Sequence, residues 1–355
     1  MYTEEEINLI VLCSFPELTY QHRYELLSRL ESATPDFTKN EDDLIKSVSD
    51  GVYNKVKENF FSPGYRAEVL KGLDERGITC VTVFSENYPE LLKEIDTPPL
   101  VLYCKGNLNL LNTRCFAVVG SRRTPAAMLK ECNKISKQLS SAFTVVTGLA
   151  DGADSAAIEG ALASGKVISV LAYGFDYVYP ACNKSLLKKV ENKGLVITEF
   201  TPQTKVQKHL FPIRNRIIAG LSDGVLVVSA GKKSGALITA ACAYEYGRDI
   251  FAFPYGIGVT QGEGCNSLIK KHGGLAENIL DIFSQYGLDF KEPEKEALSS
   301  DEKAVLELVR ESGEAFVAAL AEKLGKQPYQ VLSVLMSLEV KGKVVNIGGN
   351  RYSAV

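Results

Sequence analysis

From Ile78 to about Tyr286 the chain alternates short apolar runs with stretches of helical spacing, and that alternation most narrows what it can fold into. The runs cover 79–84, 100–103, 116–119, 144–147, 167–171, 195–197, 225–228 and 250–253. They are rich in Val, Ile and Phe and apolar on both sides, as strands buried on both faces must be. Between them lie helical patterns at 126–139, 155–163 and 237–246. Strands that alternate with helices in this way predict a doubly wound, mostly parallel sheet, extended by the two earliest strands.

The flanks read differently. Residues 3–73 show helical spacing (Ile7, Ile10, Val11; Leu44, Ile45, Val48) broken by Pro16, Pro35 and Pro63-Gly64. A packing or interaction role is the plainest reading of that bundle. Lys291 to Ser300 is polar and reads as a linker. Beyond it, amphipathic helices at 301–311, 317–324 and 328–339 precede a hairpin at 343–347 and 351–354, the winged-helix order. The expected recognition helix offers Gln327, Tyr329, Gln330, Ser333 and Ser337 but no arginine. A protein-contact role fits it at least as well as DNA reading. The division is thus a helical (SAM-like) domain over 1–75, an extended Rossmann-like α/β domain over 76–290, a linker over 291–300 and a winged-helix domain over 301–355.

Composition limits the function classes. The eight cysteines are scattered singly and only three histidines accompany them, so no zinc site or other metal site is expected. No apolar run could span a bilayer, and the acidic start Met1-Tyr2-Thr3-Glu4-Glu5-Glu6 is unlike a secretory signal. A cytoplasmic protein without membrane contact is expected. A net charge of −3 means that any nucleic-acid binding must rest on a local basic patch.

In an open parallel sheet, ligands bind beyond the carboxyl ends of the strands. The loops there read Gly120-Ser121-Arg122-Arg123, Gly148-Leu149-Ala150-Asp151-Gly152-Ala153-Asp154, Tyr179-Pro180 and Ser229-Ala230-Gly231-Lys232-Lys233-Ser234-Gly235. Any one glycine there only makes a tight turn. Several, with four cations at one rim, describe an anion site. The stretch from Gln203 to Ile217 adds Lys205, Lys208, Arg214 and Arg216, with Phe211 and His209 as flat faces and no acid. Cations interleaved with rings suit a single-stranded nucleic-acid groove, in which Arg214 and Arg216 would fork onto phosphates while Asn215 fixes the turn. No phosphate-binding G-x-x-x-x-G-K-[ST] loop and no G-x-G-x-x-G follows a strand, so no nucleotide cofactor is expected. Asp151 and Asp154 read as helix caps, and Glu199 is an isolated carboxylate.

These motifs in this order resemble the DNA-processing protein A (DprA/Smf) family. The resemblance rests on Tyr88-Pro89-Glu90-Leu91-Leu92, Val118-Val119-Gly120-Ser121-Arg122, Thr147-Gly148-Leu149-Ala150-Asp151-Gly152-Ala153-Asp154 and Tyr179-Pro180 with Asn183. It continues through Phe211-Pro212-Ile213-Arg214-Asn215-Arg216-Ile217, Ser234-Gly235-Ala236-Leu237 and Gly262-x-Gly264-Cys265-Asn266. It implies a homodimeric, non-catalytic protein that binds single-stranded DNA and loads the RecA recombinase in transformation or recombination. By the same resemblance Arg122, Lys184, Lys208 and Phe211 would line the groove. Two positions depart from the family pattern: Ile158 stands where a histidine is usual, and Pro254-Tyr255-Gly256 where Pro-Gly is usual. Competing readings are a nucleotide-cleaving Rossmann-like enzyme, whose glutamate is missing from the run ending at Thr239, and an interaction hub with no affinity for DNA.

Overall fold

The computed structural model describes residues 2–27, 33–38, 41–271, 273–290 and 298–354. Two compact units emerge, Met1–Leu288 and Asp289–Val355. Most of the expected linker, residues 291–297, lies outside the described residues.

In the first unit the β-branched runs become β1 (Thr79–Thr82), β2 (Val101–Gly106), β3 (Cys115–Gly120), β4 (Thr144–Thr147), β5 (Val167–Val170), β6 (Leu195–Thr198), β7 (Gly224–Ser229) and β8 (Asp249–Ala252). A short β9 (Gly274–Leu275) completes one sheet of order β1-β2-β6-β5-β4-β3-β7-β8-β9. The pairs from β6 through β9 are parallel, whereas β1–β2 and β2–β6 run antiparallel. The expected first strand stops short at Thr82, because the Thr82 amide donates to Ser85 Oγ (2.9 Å) and the Phe84 amide to Thr82 Oγ1 (3.3 Å). A local turn of this kind competes with the ladder.

The sheet is covered on both faces. Ala117 and Val119 share a core with Ile217, Ile218, Ala236 and Ala240, which belong to the helices Leu210–Gly220 and Ala236–Glu245. Phe116 faces the other way, into a ring cluster with Phe143, Phe251 and Tyr286. On that side the helices Ala126–Leu139 and Ala153–Ala161 press together at Gly160, where an added Cβ would lie 2.2 Å from the Asn133 carbonyl oxygen. The N-terminal helices do not stand apart: Leu9, Ile10, Phe15 and Phe60 enter the same core as Val81, Leu102 and Tyr103.

In the second unit the helices Ser300–Ser312, Val317–Leu324 and Pro328–Val340 are followed by the expected hairpin, β11 (Val344–Gly348) and β12 (Arg351–Ala354). The sequence reading did not place a third strand, β10 (Glu314–Phe316), which pairs with β12. Gly348, Gly349 and Asn350 all take positive φ at the hairpin turn, where Gly and Asn are tolerated.

Glu302 ties this unit together. Its carboxylate accepts from Lys341 Nζ at 2.7 and 2.9 Å, from Ser337 Oγ at 2.7 Å and from the Ser299 amide at 2.8 Å. Chiefly through Lys341, these bonds hold its pKa down at about 2. A carboxylate depressed in the folded state contributes stability above its unfolded pKa, and that contribution is lost as pH falls through the folded value. We therefore expect the protection of amides across 300–340 of the full chain, measured against their intrinsic exchange rates at each pH, to fall between about pH 4.5 and about pH 2. In Glu302→Gln this protection should already be low at neutral pH and respond less to acid over that window. An unchanged acid profile in the variant would remove Glu302 from this role.

Candidate nucleic-acid interface

Strand order reverses at β3. From there the chain winds outward through β4, β5 and β6 on one side and, after a return, through β7, β8 and β9 on the other. The loops leaving β3 and β7 therefore diverge and leave a crevice, as such switch points do. A cavity of about 440 Å³ occupies it, lined by Gly120, Ser121, Arg122, Arg123, Phe211, Arg214, Asn215, Ser234 and Gly235 among others. The helix Ala236–Glu245 starts in its wall without a side-chain cap. Its N-terminal dipole thus favours an anion at this place.

Arg122 is exposed at the mouth. Its guanidinium lies 5.5 Å from the centroid of the Tyr179 ring and 5.7 Å from that of Phe211, and Nη1 donates to the Tyr179 hydroxyl at 3.2 Å. The two rings meet edge to face at 5.7 Å. Tyr179 is itself held, since Tyr173 Oη donates to its carbonyl oxygen (2.7 Å) and accepts from its amide (3.0 Å). A cation resting on two fixed rings keeps its outer edge free to meet a phosphate, and the rings offer faces for stacking. Tyr179 was not among the expected site residues. Its signal was an aromatic side chain in the loop after β5, at the same sheet edge as Arg122.

Beneath Arg122 the site becomes structural. Arg214 is buried, donates to the Val170 carbonyl oxygen, and reaches Asn215 Oδ1 from Nε at 3.1 Å. Asn215 does not fix a turn: it lies within the helix Leu210–Gly220, and its Nδ2 donates to the Gly235 carbonyl oxygen at 3.3 Å. Asp154 is no cap either, for Gly152 precedes the helix and no side chain caps it. Its carboxylate is buried opposite Arg214, and Oδ2 accepts from the Ala150 amide at 3.3 Å. Burial raises the Asp154 pKa and lowers that of Arg214, while each opposes the shift of the other.

Gly148 gives this pair its room. A Cβ there would lie 2.4 Å from Asp154 Oδ2 and 2.7 Å from Arg214 Nη1. Both side chains are buried and cannot swing away freely, so we expect Gly148→Ala to destabilise the first unit by about 1–3 kcal/mol. A thermal melt identical to that of the parent would show that the pair relaxes without cost.

Arg216 parts from its neighbour. Two residues along a helix is more than half a turn, so it emerges on the face opposite Arg214. There its Nη2 pairs with Glu199 Oε2 at 2.5 Å, with both side chains largely buried. The isolated carboxylate and the second arginine of the triplet are thus partners, and this arginine is not free to fork onto phosphate. Lys205 lines a separate cavity on that same side. Lys184, Lys208 and Lys233 are exposed near the rim loops, and Lys232 stands 3.6 Å from Glu263 in a solvated pair.

Both departures from the family pattern have local explanations. Ile158 is fully buried. Tyr255 exchanges hydrogen bonds with Asn266 (3.0 and 2.9 Å) and donates from its hydroxyl to the Val228 carbonyl oxygen at 2.9 Å. Its ring occupies the place where Gly262 would carry a Cβ. Among the described residues no group of three His, Cys, Asp or Glu side chains could hold a metal ion, and no helix is long and apolar enough to cross a membrane.

Comparison with known proteins places this geometry. Residues 79–287 match the family model for DNA recombination-mediator protein A. The DNA processing protein DprA of Bacillus subtilis is 37% identical over 231 residues, which cover 63% of this chain and 78% of that one. Protein Smf of Escherichia coli is 35% identical over 279 residues, 75% of this chain and 74% of its own. The X-ray structure of DprA from Streptococcus pneumoniae superposes with a TM-score of 0.66 at 32% identity, covering 82% of this chain and 99% of that one. DNA processing protein A from Helicobacter pylori, whose structure is described for its single-stranded DNA binding mode, gives a TM-score of 0.55 at 28% identity over 60% of this chain and 97% of its own.

Proposed function

Because the chain belongs to the DNA recombination-mediator protein A family, we propose that it binds single-stranded DNA along the carboxyl edge of its sheet and passes that DNA to a recombinase. The observation that carries this reading is Arg122, laid over Tyr179 and Phe211 at the mouth of the switch-point cavity. Phosphate would meet Arg122 and the loop amides after β3 and β7, while bases stack on the rings. The exposed Lys184, Lys205, Lys208, Lys232 and Lys233, with Arg123, would extend the track electrostatically. Arg214 and Arg216 support the floor and the flanking helix.

Further parts of the reading are a homodimer formed through the Rossmann-like domain, RecA as the receiving recombinase, and a cytoplasmic location. The division into domains at about 75, 290 and 300 belongs to it as well. Binding without catalysis is part of the reading as well: the run from Gly235 to Thr239 in the wall of the cavity ends in a threonine and not in a glutamate. A titration with single-stranded and duplex oligonucleotides of equal length tests the core of the proposal. Single strands should bind about tenfold or more tightly, with affinity falling as salt rises. Equal affinity for both, or none for either, would end the single-strand assignment.

A further inference from the structure

The helix Lys184–Lys193 links β5 to β6, so it starts at the carboxyl edge of the sheet and descends from there. Its start is tied to the rim of the crevice. Asn183 Nδ2 donates to the Leu149 carbonyl oxygen (2.9 Å) and to Ser155 Oγ (3.0 Å). Only a 3₁₀ turn over Ala181–Asn183 separates the helix from Tyr179-Pro180 at the mouth. Leu186, Leu187 and Val190 are its buried side. The outward face carries Lys184, Ser185, Lys188, Lys189, Asn192 and Lys193, all exposed.

Four lysines thus stand against one glutamate on a single helix, in a chain whose net charge is −3. Lys184 and Lys188 lie four residues apart, as do Lys189 and Lys193, and like charges at that spacing destabilise a helix. Lys184 also sits in the first turn, which has no acidic residue, and there the helix dipole disfavours a cation. Among the described residues none of the four forms an ion pair. Only Lys193, in the last turn, suits the dipole. Folding therefore does not account for the arrangement, whereas a polyanion laid along the face would relieve its repulsion. The face has no ring and no arginine, so it suits phosphates and offers no stacking platform for a base.

We propose that the bound single strand runs from the crevice onto this helix, where its phosphates meet Lys188, Lys189 and Lys193 while its bases face solvent. The proposal rests on the single-strand reading above and deepens it, because it gives the strand a direction of exit. From Lys184 at the rim to Lys193 the helix rises about 14 Å, at about 1.5 Å per residue. Only a strand that outruns the crevice reaches so far, so these three lysines should matter for long strands alone.

The test titrates the full chain with oligo-dT of about 6 and about 20 nucleotides, one short enough for a single stacking groove and one that exceeds it. With Lys188→Gln, Lys189→Gln and Lys193→Gln combined, affinity for the long strand should fall about tenfold, and its slope of log K against log salt should become shallower by about 2. Affinity for the short strand should stay within about twofold of wild type. A second measurement needs no variant: acetylation of lysine amines by an N-hydroxysuccinimide ester, followed by mass spectrometry. The long strand should protect Lys188, Lys189 and Lys193, and the short strand should not. Lys134, which stands 3.9 Å from Glu131 on another helix, should react equally with either strand present. Unchanged affinity of the variant for the long strand would overturn the proposal, assign the lysines to a partner other than DNA and leave the single-strand reading standing. Equal weakening of both strands, or no protection by a long strand that binds, would overturn it in the same way. Wild-type protein that binds neither strand would sink the single-strand reading itself, and the exit path with it.

Discussion

Arg122→Ala should weaken binding to a single-stranded oligonucleotide by about tenfold to a hundredfold, with no change in the thermal melt. A hydrogen bond to a charged group contributes about 1.5–3 kcal/mol, and a cation on a ring adds about 0.5–1 kcal/mol at an exposed site. The side chain is exposed, and among the described residues its one hydrogen bond runs to a tyrosine hydroxyl at 3.2 Å, so folding asks little of it. The slope of log K against log salt should become shallower by about 0.7, the loss of one phosphate contact on a single strand. Arg122→Lys should recover only part of the affinity, because an ammonium restores charge but not the flat fork that lies over Tyr179 and Phe211. If affinity and salt slope both stay at wild-type values, phosphate does not meet Arg122.

Arg216→Ala should do the reverse. Removing one partner of a buried ion pair costs about 3–5 kcal/mol, and here Glu199 would keep a buried carboxylate on which Arg23 still acts as a cation. A fall in Tm of roughly 6–20 °C is expected, at about 2–4 °C per kcal/mol. The damage should grow with pH. Burial already raises the Glu199 pKa, and without Arg216 it would rise further. A raised carboxylate pKa supplies stability at low pH that is lost as pH climbs from the unfolded toward the folded value. Adding Glu199→Leu to Arg216→Met should recover most of the Tm, since an apolar pair can replace a buried ionic one. A variant with unchanged Tm but weakened DNA binding would return Arg216 to the groove.

These two arginines mark how far the sequence could be read. Eight strands were legible because a strand buried on both faces must be a short run of Val, Ile and Phe, and little else has that pattern. β9 and β10 have two and three residues and no room for a pattern, so only their neighbours define them. The Gly120-to-Arg123 loop was legible because it leaves a recognisable strand. Arg216 was misread because Arg214-Asn215-Arg216 reads as a turn in a basic loop, whereas it lies within the helix Leu210–Gly220, whose first turn accepts Pro212. Once 210–220 is a helix, Arg214 and Arg216 must part company. Glu199 lies too far along the chain for its partnership to show, and Tyr179 needs the fold to bring it beside Arg122.

The position of β3 between β4 and β7 also has a consequence for synthesis. β4 reaches its neighbour soon after β3 leaves the ribosome, but β7 begins only at Gly224. At about 5–20 residues per second, the far edge of β3 waits roughly 5–20 s for its partner. During that interval the nascent chain is a half-sheet that carries Phe116 to Val119 as an unpaired apolar border. Such a border invites pairing with the wrong chain. The crevice that the mature protein offers to a ligand is also a seam that closes late on the ribosome, and a translational pause before Gly224 should lower the yield of folded protein more than one placed after Ala252.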